Sequence, residues 1–211
     1  MMPTVLAHDQ SGIADAIDRA LETAQTIIFP TDTVYGIGGN PWDERTLDRV
    51  RTLKERPADQ PFTLHLASVK AIQRFVRVDD RQRAIVERLL PGPYTLLLPA
   101  SDEAPPSAVL GSTIGIRVPD HPLFMTTLAM LDRPLFGTSV NLRGEPPLRD
   151  IIEIIDRFSS IDLIVTGPVG LGPSAILDLT ADPACAVRGD VTDEVRRLLA
   201  AVSSERKSGK D

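Results

Sequence analysis

Short apolar and β-branched runs recur along this chain, and their spacing constrains the fold more than any other feature. In the first half, TIIFP, FTLHLA and YTLLLPA are separated by stretches with helical periodicity. In the second half, STIGIRVP, PLFGTSVN, IDLIVTG, SAILDLT and CAVRG follow with fewer helical interruptions. Strands that alternate with helices pair in parallel through crossovers, whereas clustered strands pair antiparallel. The pattern predicts a single α/β domain, a twisted mixed parallel/antiparallel sheet flanked by helices, over residues 1–202. The polar end, residues 203–211, is expected to be a disordered tail.

The helices are readable from caps and periodicity. Ser11 is expected to cap a first helix with Ile13, Ile17, Leu21 and Ala24 on one face. PTDTVYGIGGN mixes Thr, Gly and Pro and reads as strand end and loop. Asp43 is placed to cap a second helix carrying Leu47, Val50 and Leu53, and Ser68 to cap the next. DDRQRAIVERLL is helical and is stopped by PGP. SDEAPPSAVLGS reads as a polar connection. HPLFMTTLAML, LRDIIEIIDRF and VTDEVRRLLAAV complete the helices.

A chain of 211 residues, 42% hydrophobic, is long enough to bury one sizeable core. Its net charge of -6 argues against a general nucleic-acid coat, although a local basic pocket remains compatible with it. The single cysteine, Cys185, excludes an internal disulfide and a cysteine-based zinc site. The three histidines, His8, His65 and His121, lie in a terminal segment, a strand and a helix start, which disfavours a three-histidine metal site. The N-terminus shows no secretory pattern and no apolar run reaches membrane-spanning length, so a cytoplasmic location without membrane contact is expected.

Period-two alternation assigns side chains to faces. Ile114, Ile116 and Val118 point to one side of their strand, and Thr113, Gly115 and Arg117 to the other. Phe62, Leu64 and Leu66 oppose Thr63 and His65. Gly137, Ser139 and Asn141 oppose Phe136, Thr138 and Val140. Thr31 and Thr33 share a face. Several strands thus end in small polar groups plus a cation, and ligands of open α/β sheets sit at strand ends. A solvated sheet face would explain each group singly, but accounts less well for all of them together. Pro57 ends the helix after Lys54 and Arg56, so the two cations are expected to project from a loop toward an anion. There is no P-loop, no dinucleotide fingerprint and no GxSxG elbow. Any nucleotide is therefore held by scattered cations and hydroxyls.

FPTDTVYGIGGN, KERPADQPFTLHL, PGPYTLLLP, STIGIRVPDHP, GTSVNLRGEPP and PSAILDL, in this order, resemble the YrdC-like family of L-threonylcarbamoyladenylate synthases. The resemblance runs from about Thr26 to about Arg188 and is to the short, single-domain members. It implies a concave, positively lined cavity and a nucleotidyl transfer. L-threonine, bicarbonate and ATP, with Mg²⁺, give threonylcarbamoyl-AMP and pyrophosphate. A downstream tRNA threonylcarbamoyl-transfer enzyme then uses the product, and the resemblance leaves room for a weak tRNA contact.

Carried over by motif, Lys54 and Arg56 would act in catalysis by contacting the ATP phosphates. Thr113, Ser139, Asn141 and Arg188 would also meet the nucleotide. Thr33, with Thr31 nearby, would line the threonine pocket, together with His65, Arg117 and Ser174. The chain departs from the family pattern at Val140, expected to narrow the site, at Ala175, which lacks a hydroxyl, and at Gly189. Two other functions fit the same fold: a carbamoyl-adenylating enzyme and a non-catalytic RNA-binding module. The 4% aromatic content offers little for base stacking.

Overall fold

The computed structural model describes residues 2–204, with side chains to residue 201. The chain begins with β1 (Thr4–Ala7), α1 (Ile13–Glu22), β2 (Ile27–Phe29), β3 (Gly36–Gly39), α2 (Glu44–Lys54) and β4 (Thr63–His65). A 3₁₀ turn, Lys70–Arg74, leads to α3 (Asp80–Leu89) and β5 (Tyr94–Pro99). A second 3₁₀ turn, Pro106–Ala108, precedes β6 (Val109–Leu110) and β7 (Thr113–Arg117). A π-helical turn, Leu123–Leu128, runs into α4 (Ala129–Leu131). The chain then forms β8 (Leu135–Ser139), α5 (Ile151–Arg157), β9 (Leu163–Thr166), β10 (Ala175–Asp178), β11 (Cys185–Arg188) and α6 (Asp193–Ser204).

Among the described residues, eleven strands join one mixed sheet in the order β1-β9-β2-β3-β8-β4-β7-β5-β10-β11, with β6 paired to β7. The pairs β1–β9, β2–β9, β4–β7 and β5–β10 are parallel, and the other pairs are antiparallel. The expected α/β class and mixed sheet are what is found. Residues 203 and 204 belong to α6, and the remainder of the expected tail lies outside the described residues. Among the described residues no helix is long and apolar enough to cross a membrane.

Three apolar clusters hold the helices to the sheet. Leu64, Ile114, Ile116 and Leu177 pack with Ile85 and Leu199 of α3 and α6. Phe62, Phe136 and Val140 pack with Leu47 and Val50 of α2 and Ile154 of α5. Phe29 and Val165 pack with Ile17 and Leu21 of α1 and Phe124 of the π turn. Burying that much apolar surface is the main force holding the layers together.

Three local expectations need correction, and one strand had none. Ser11 does not cap α1; Gly12 takes that position at φ 83, a left-handed conformation without side-chain capping. GIGG is not loop but β3, buried throughout. A Cβ on Gly38 would fall on the Phe136 carbonyl oxygen, and one on Gly36 would lie 2.5 Å from Phe29 Cε2. Only glycine lets these strands approach so closely. SDEAPPSAVLGS includes β6, whose two residues pair with β7. β1 was not foreseen, because its four residues are at most partly buried and show no alternation. Asp43 does cap α2, accepting from the backbone of Arg45 and Thr46 at 3.0 and 3.3 Å.

Candidate active site

The polar faces read from alternation converge on one cavity of about 650 Å³. β7 contributes Thr113, Gly115 and Arg117, and β4 contributes Thr63 and His65. Gly137 and Ser139 come from β8, Thr95 and Leu97 from β5, and Ser174 precedes β10. Their partners on each strand, Ile114, Ile116, Leu64, Phe136 and Leu96, are fully buried on the far side. His65 and Arg117 end adjacent parallel strands and stand in register. Gly36 faces Ser139, and Thr63 faces Gly137.

A second cavity of about 260 Å³ adjoins the first through shared residues Arg56, Gln60, Thr138, Ser139 and Arg188. Lys54, Asn141 and Arg143 line it too. Of the sequence-selected residues, Thr31, Arg56, His65, Thr113, Arg117, Ser139, Ser174 and Arg188 therefore line the main cavity. Lys54 and Asn141 line only the second. Thr33 lies on neither; its Oγ1 stands 3.0 Å from Thr31 Oγ1, and Thr31 in turn donates to the Val34 carbonyl at 2.7 Å.

Lys54 does not project from a loop. It is the last residue of α2, and Glu55, at φ 51, turns the chain out of the helix. The Lys54 ammonium, 6% exposed, donates to the Ser139 carbonyl, to the Asn141 carbonyl at 2.7 Å and to Asn141 Oδ1 at 2.9 Å. Burial, then the charge of Arg56, pushes its pKa down to about 8, while the three oxygens favour the charged form. Arg56 donates to the Gln60 and Pro61 carbonyls and to Thr138 Oγ1, and its guanidinium lies 4.9 Å over the Phe62 ring. Burial lowers its pKa to about 10.

Arg117 is ion-paired with Asp32, and the two side chains are 5% and 12% exposed. Asp32 Oδ2 and Arg117 Nε are buried without a described partner. Burial pulls the guanidinium below its ordinary value, and Asp32 pulls it back. His65 Nδ1 lies 3.2 Å from the Thr63 carbonyl, which can only accept, so the proton sits on Nδ1 and Nε2 is an acceptor. Burial, then Arg117, depresses His65 to about 3, so the ring is neutral. Phe29 and Phe124 flank it.

Sequence reasoning missed Asp32, Thr95 and Arg143. Thr95 had a weak signal, as a small hydroxyl within an otherwise apolar strand, on the face it shares with Leu97; its Oγ1 is 2.9 Å from Ser174 Oγ. Asp32 had only its place between two site threonines. Val140 does not narrow the site, because it is fully buried on the opposite face with Phe62 and Phe136. The other two departures meet each other. Gly189 has φ 83, and a Cβ there would lie 3.0 Å from Ala175 Cα.

The Sua5/YciO/YrdC family model, described as "Telomere recombination", matches residues 19–189. A threonylcarbamoyl-AMP synthase of Pyrococcus abyssi is 30% identical over 188 residues, 85% of this chain and 55% of that one. A threonylcarbamoyl-AMP synthase of Yersinia enterocolitica is 32% identical over 178 residues, 81% of this chain and 93% of that one. The crystal structure of P. abyssi Sua5 complexed with L-threonine superposes with a TM-score of 0.83 at 27% identity, covering 94% of this chain and 61% of that one. The chain thus spans just over half of the archaeal relative and nearly all of the bacterial one.

Proposed function

The chain belongs to the Sua5/YciO/YrdC family, and on that premise we propose that it is an L-threonylcarbamoyladenylate synthase. It would make threonylcarbamoyl-AMP and pyrophosphate from L-threonine, bicarbonate and ATP, for the threonylcarbamoyladenosine modification of tRNA. The observation that carries this reading is one cavity with an amino-acid side and a phosphate side. Thr31, His65 and Arg117 line only the main cavity, whereas Arg56, Ser139 and Arg188 line the part shared with the second.

In this reading Arg117 receives the threonine carboxylate, and the unprotonated Nε2 of His65 accepts a hydrogen bond from the amino acid. Thr31 and the Thr95–Ser174 hydroxyl pair complete that side. The threonine amine takes up carbon dioxide from bicarbonate and gives a carbamate, its lost proton and the bicarbonate hydroxide leaving together as water. A carbamate oxygen then bonds to the α-phosphorus, and the bond to the bridging oxygen breaks, releasing pyrophosphate. Thr113, Ser139, Asn141, Arg56 and Arg188 hold the nucleotide, with Lys54 behind Ser139 and Asn141. Positioning and charge neutralisation supply the acceleration.

Mg²⁺ would enter on the triphosphate. Among the described residues no group of three His, Cys, Asp or Glu side chains is placed to hold a metal. Asp178, the carboxylate on the main cavity's lining, has Oδ1 engaged by Thr180 and Ala181. Such an ion would be held largely by phosphates and water. The product would pass to a downstream tRNA threonylcarbamoyl-transfer enzyme.

The test is pyrophosphate release from ATP in the presence of bicarbonate. Release should require L-threonine. Release without threonine, or with carbamoyl phosphate in its place, overturns the assignment.

A further inference from the structure

The second cavity is lined by four cationic side chains, Lys54, Arg56, Arg143 and Arg188, and by no carboxylate. Three of the four are already engaged by protein oxygens. Lys54 has three acceptors, Arg56 has two carbonyls and a hydroxyl, and Arg188 donates to the Ser174 carbonyl at 3.2 Å. Arg143 makes no hydrogen bond or ion pair with another described residue.

Its placement is nevertheless defined. Lys54 fixes the Asn141 carbonyl and Oδ1. The Asn141 amide donates to the Leu142 and Glu145 carbonyls, both at 2.9 Å. Glu145 N–H closes the turn onto the Leu142 carbonyl at 3.1 Å. Gly144, at φ 82, supplies the left-handed residue that such a turn requires. Arg143 therefore sits at the tip of a turn braced from the end of α2.

We propose that Arg143 binds the pyrophosphate end of the nucleotide in the second cavity, and that Lys54 is a positioning residue for the turn that presents it. The proposal rests on the adenylate-synthase reading. When the α-phosphorus bonds to the carbamate oxygen, the leaving pyrophosphate carries away the electron pair of the broken bond. A guanidinium with unused donors can fork over that growing charge, whereas an ammonium whose three donors are taken cannot do so without releasing Ser139 or Asn141.

Calorimetric titration of inorganic pyrophosphate into the purified chain tests this without turnover. Arg143→Ala should weaken pyrophosphate at least tenfold, and Arg143→Lys should recover part of the loss. Product inhibition by pyrophosphate should weaken in proportion, with the KM for L-threonine unchanged. Wild-type pyrophosphate affinity in Arg143→Ala, or no binding by the wild type, overturns the proposal. Tight, Arg143-dependent binding in a protein whose turnover ignores threonine would instead overturn the reaction assignment and leave the site standing.

Discussion

Asp32 and Arg117 form an ion pair between the loop after β2 and the end of β7, with both side chains nearly buried. Neither motif alone suggests the partnership, because 85 residues separate the two. Asp32 does not line the cavity, whereas Arg117 does. The acid therefore acts through the arginine, keeping it charged and oriented.

Removing Asp32 leaves a buried cation without its partner. Asp32→Ala should cost about 3 kcal/mol in urea unfolding and raise the KM for L-threonine at least tenfold. Adding Arg117→Met should restore part of the stability but none of the binding. If the double variant is as unstable as the single one, the pair is not the cause.

Lys54→Met keeps the aliphatic stem but takes the ammonium away from the Ser139 and Asn141 carbonyls, while Asn141 Oδ1 keeps only the Ser139 hydroxyl. The expected result is at least a tenfold slower reaction, about 1.4 kcal/mol in the barrier, together with about 2 kcal/mol of lost stability. A slower reaction at full stability would mean that Lys54 touches phosphate only. Arg56→Ala should also slow turnover at least tenfold, as read by pyrophosphate release.

Glycines give a steric test. A Cβ on Gly137 would lie 2.9 Å from both His65 Cε1 and Phe29 Cζ, so Gly137→Ala should destabilise by roughly 1–3 kcal/mol and disturb threonine binding. Nothing lies within 4 Å of a Cβ on Gly172, so Gly172→Ala should melt near the wild type. Equal melting temperatures for the two variants would refute the close packing.

The buried His65 sets an acid dependence. Its folded value, about 3, lies below the ordinary 6.5. Between those values the unfolded chain binds a proton that the folded chain refuses, so stability is full above about pH 6.5 and falls as pH drops. Comparing pH 7 with pH 4.5, the wild type should lose about 3 kcal/mol more than His65→Leu. Parallel losses in the two proteins would contradict a neutral, buried ring.

Much of this was legible in the residues. The polar faces of FTLHL, STIGIRVP and PLFGTSVN largely followed from alternation, but Phe62 and Thr138, assigned to the opposite faces, line the main cavity as well, where the strands twist and end. GIGG was not legible as a strand, since its fitness depends on how near Phe136 and Phe29 come, which is a tertiary fact. Lys54 was assigned to the right neighbourhood with the wrong posture. Charge alone cannot say whether an ammonium meets solvent or folds back onto carbonyls 85 and 87 residues away. Val140 pointed away from the cavity by the same alternation that put Ser139 into it.

Gly137 lies under the His65 ring, and Ser139, two residues on, lies where the two cavities meet. An extended strand advances about 3.4 Å per residue, so roughly 7 Å of β8 separates these landmarks. In the proposed reaction, the spacing between the amino-acid and phosphate ends is thus set by the pitch of one peptide backbone. Side chains can tune what each end accepts, but the ruler between them cannot be lengthened by substitution.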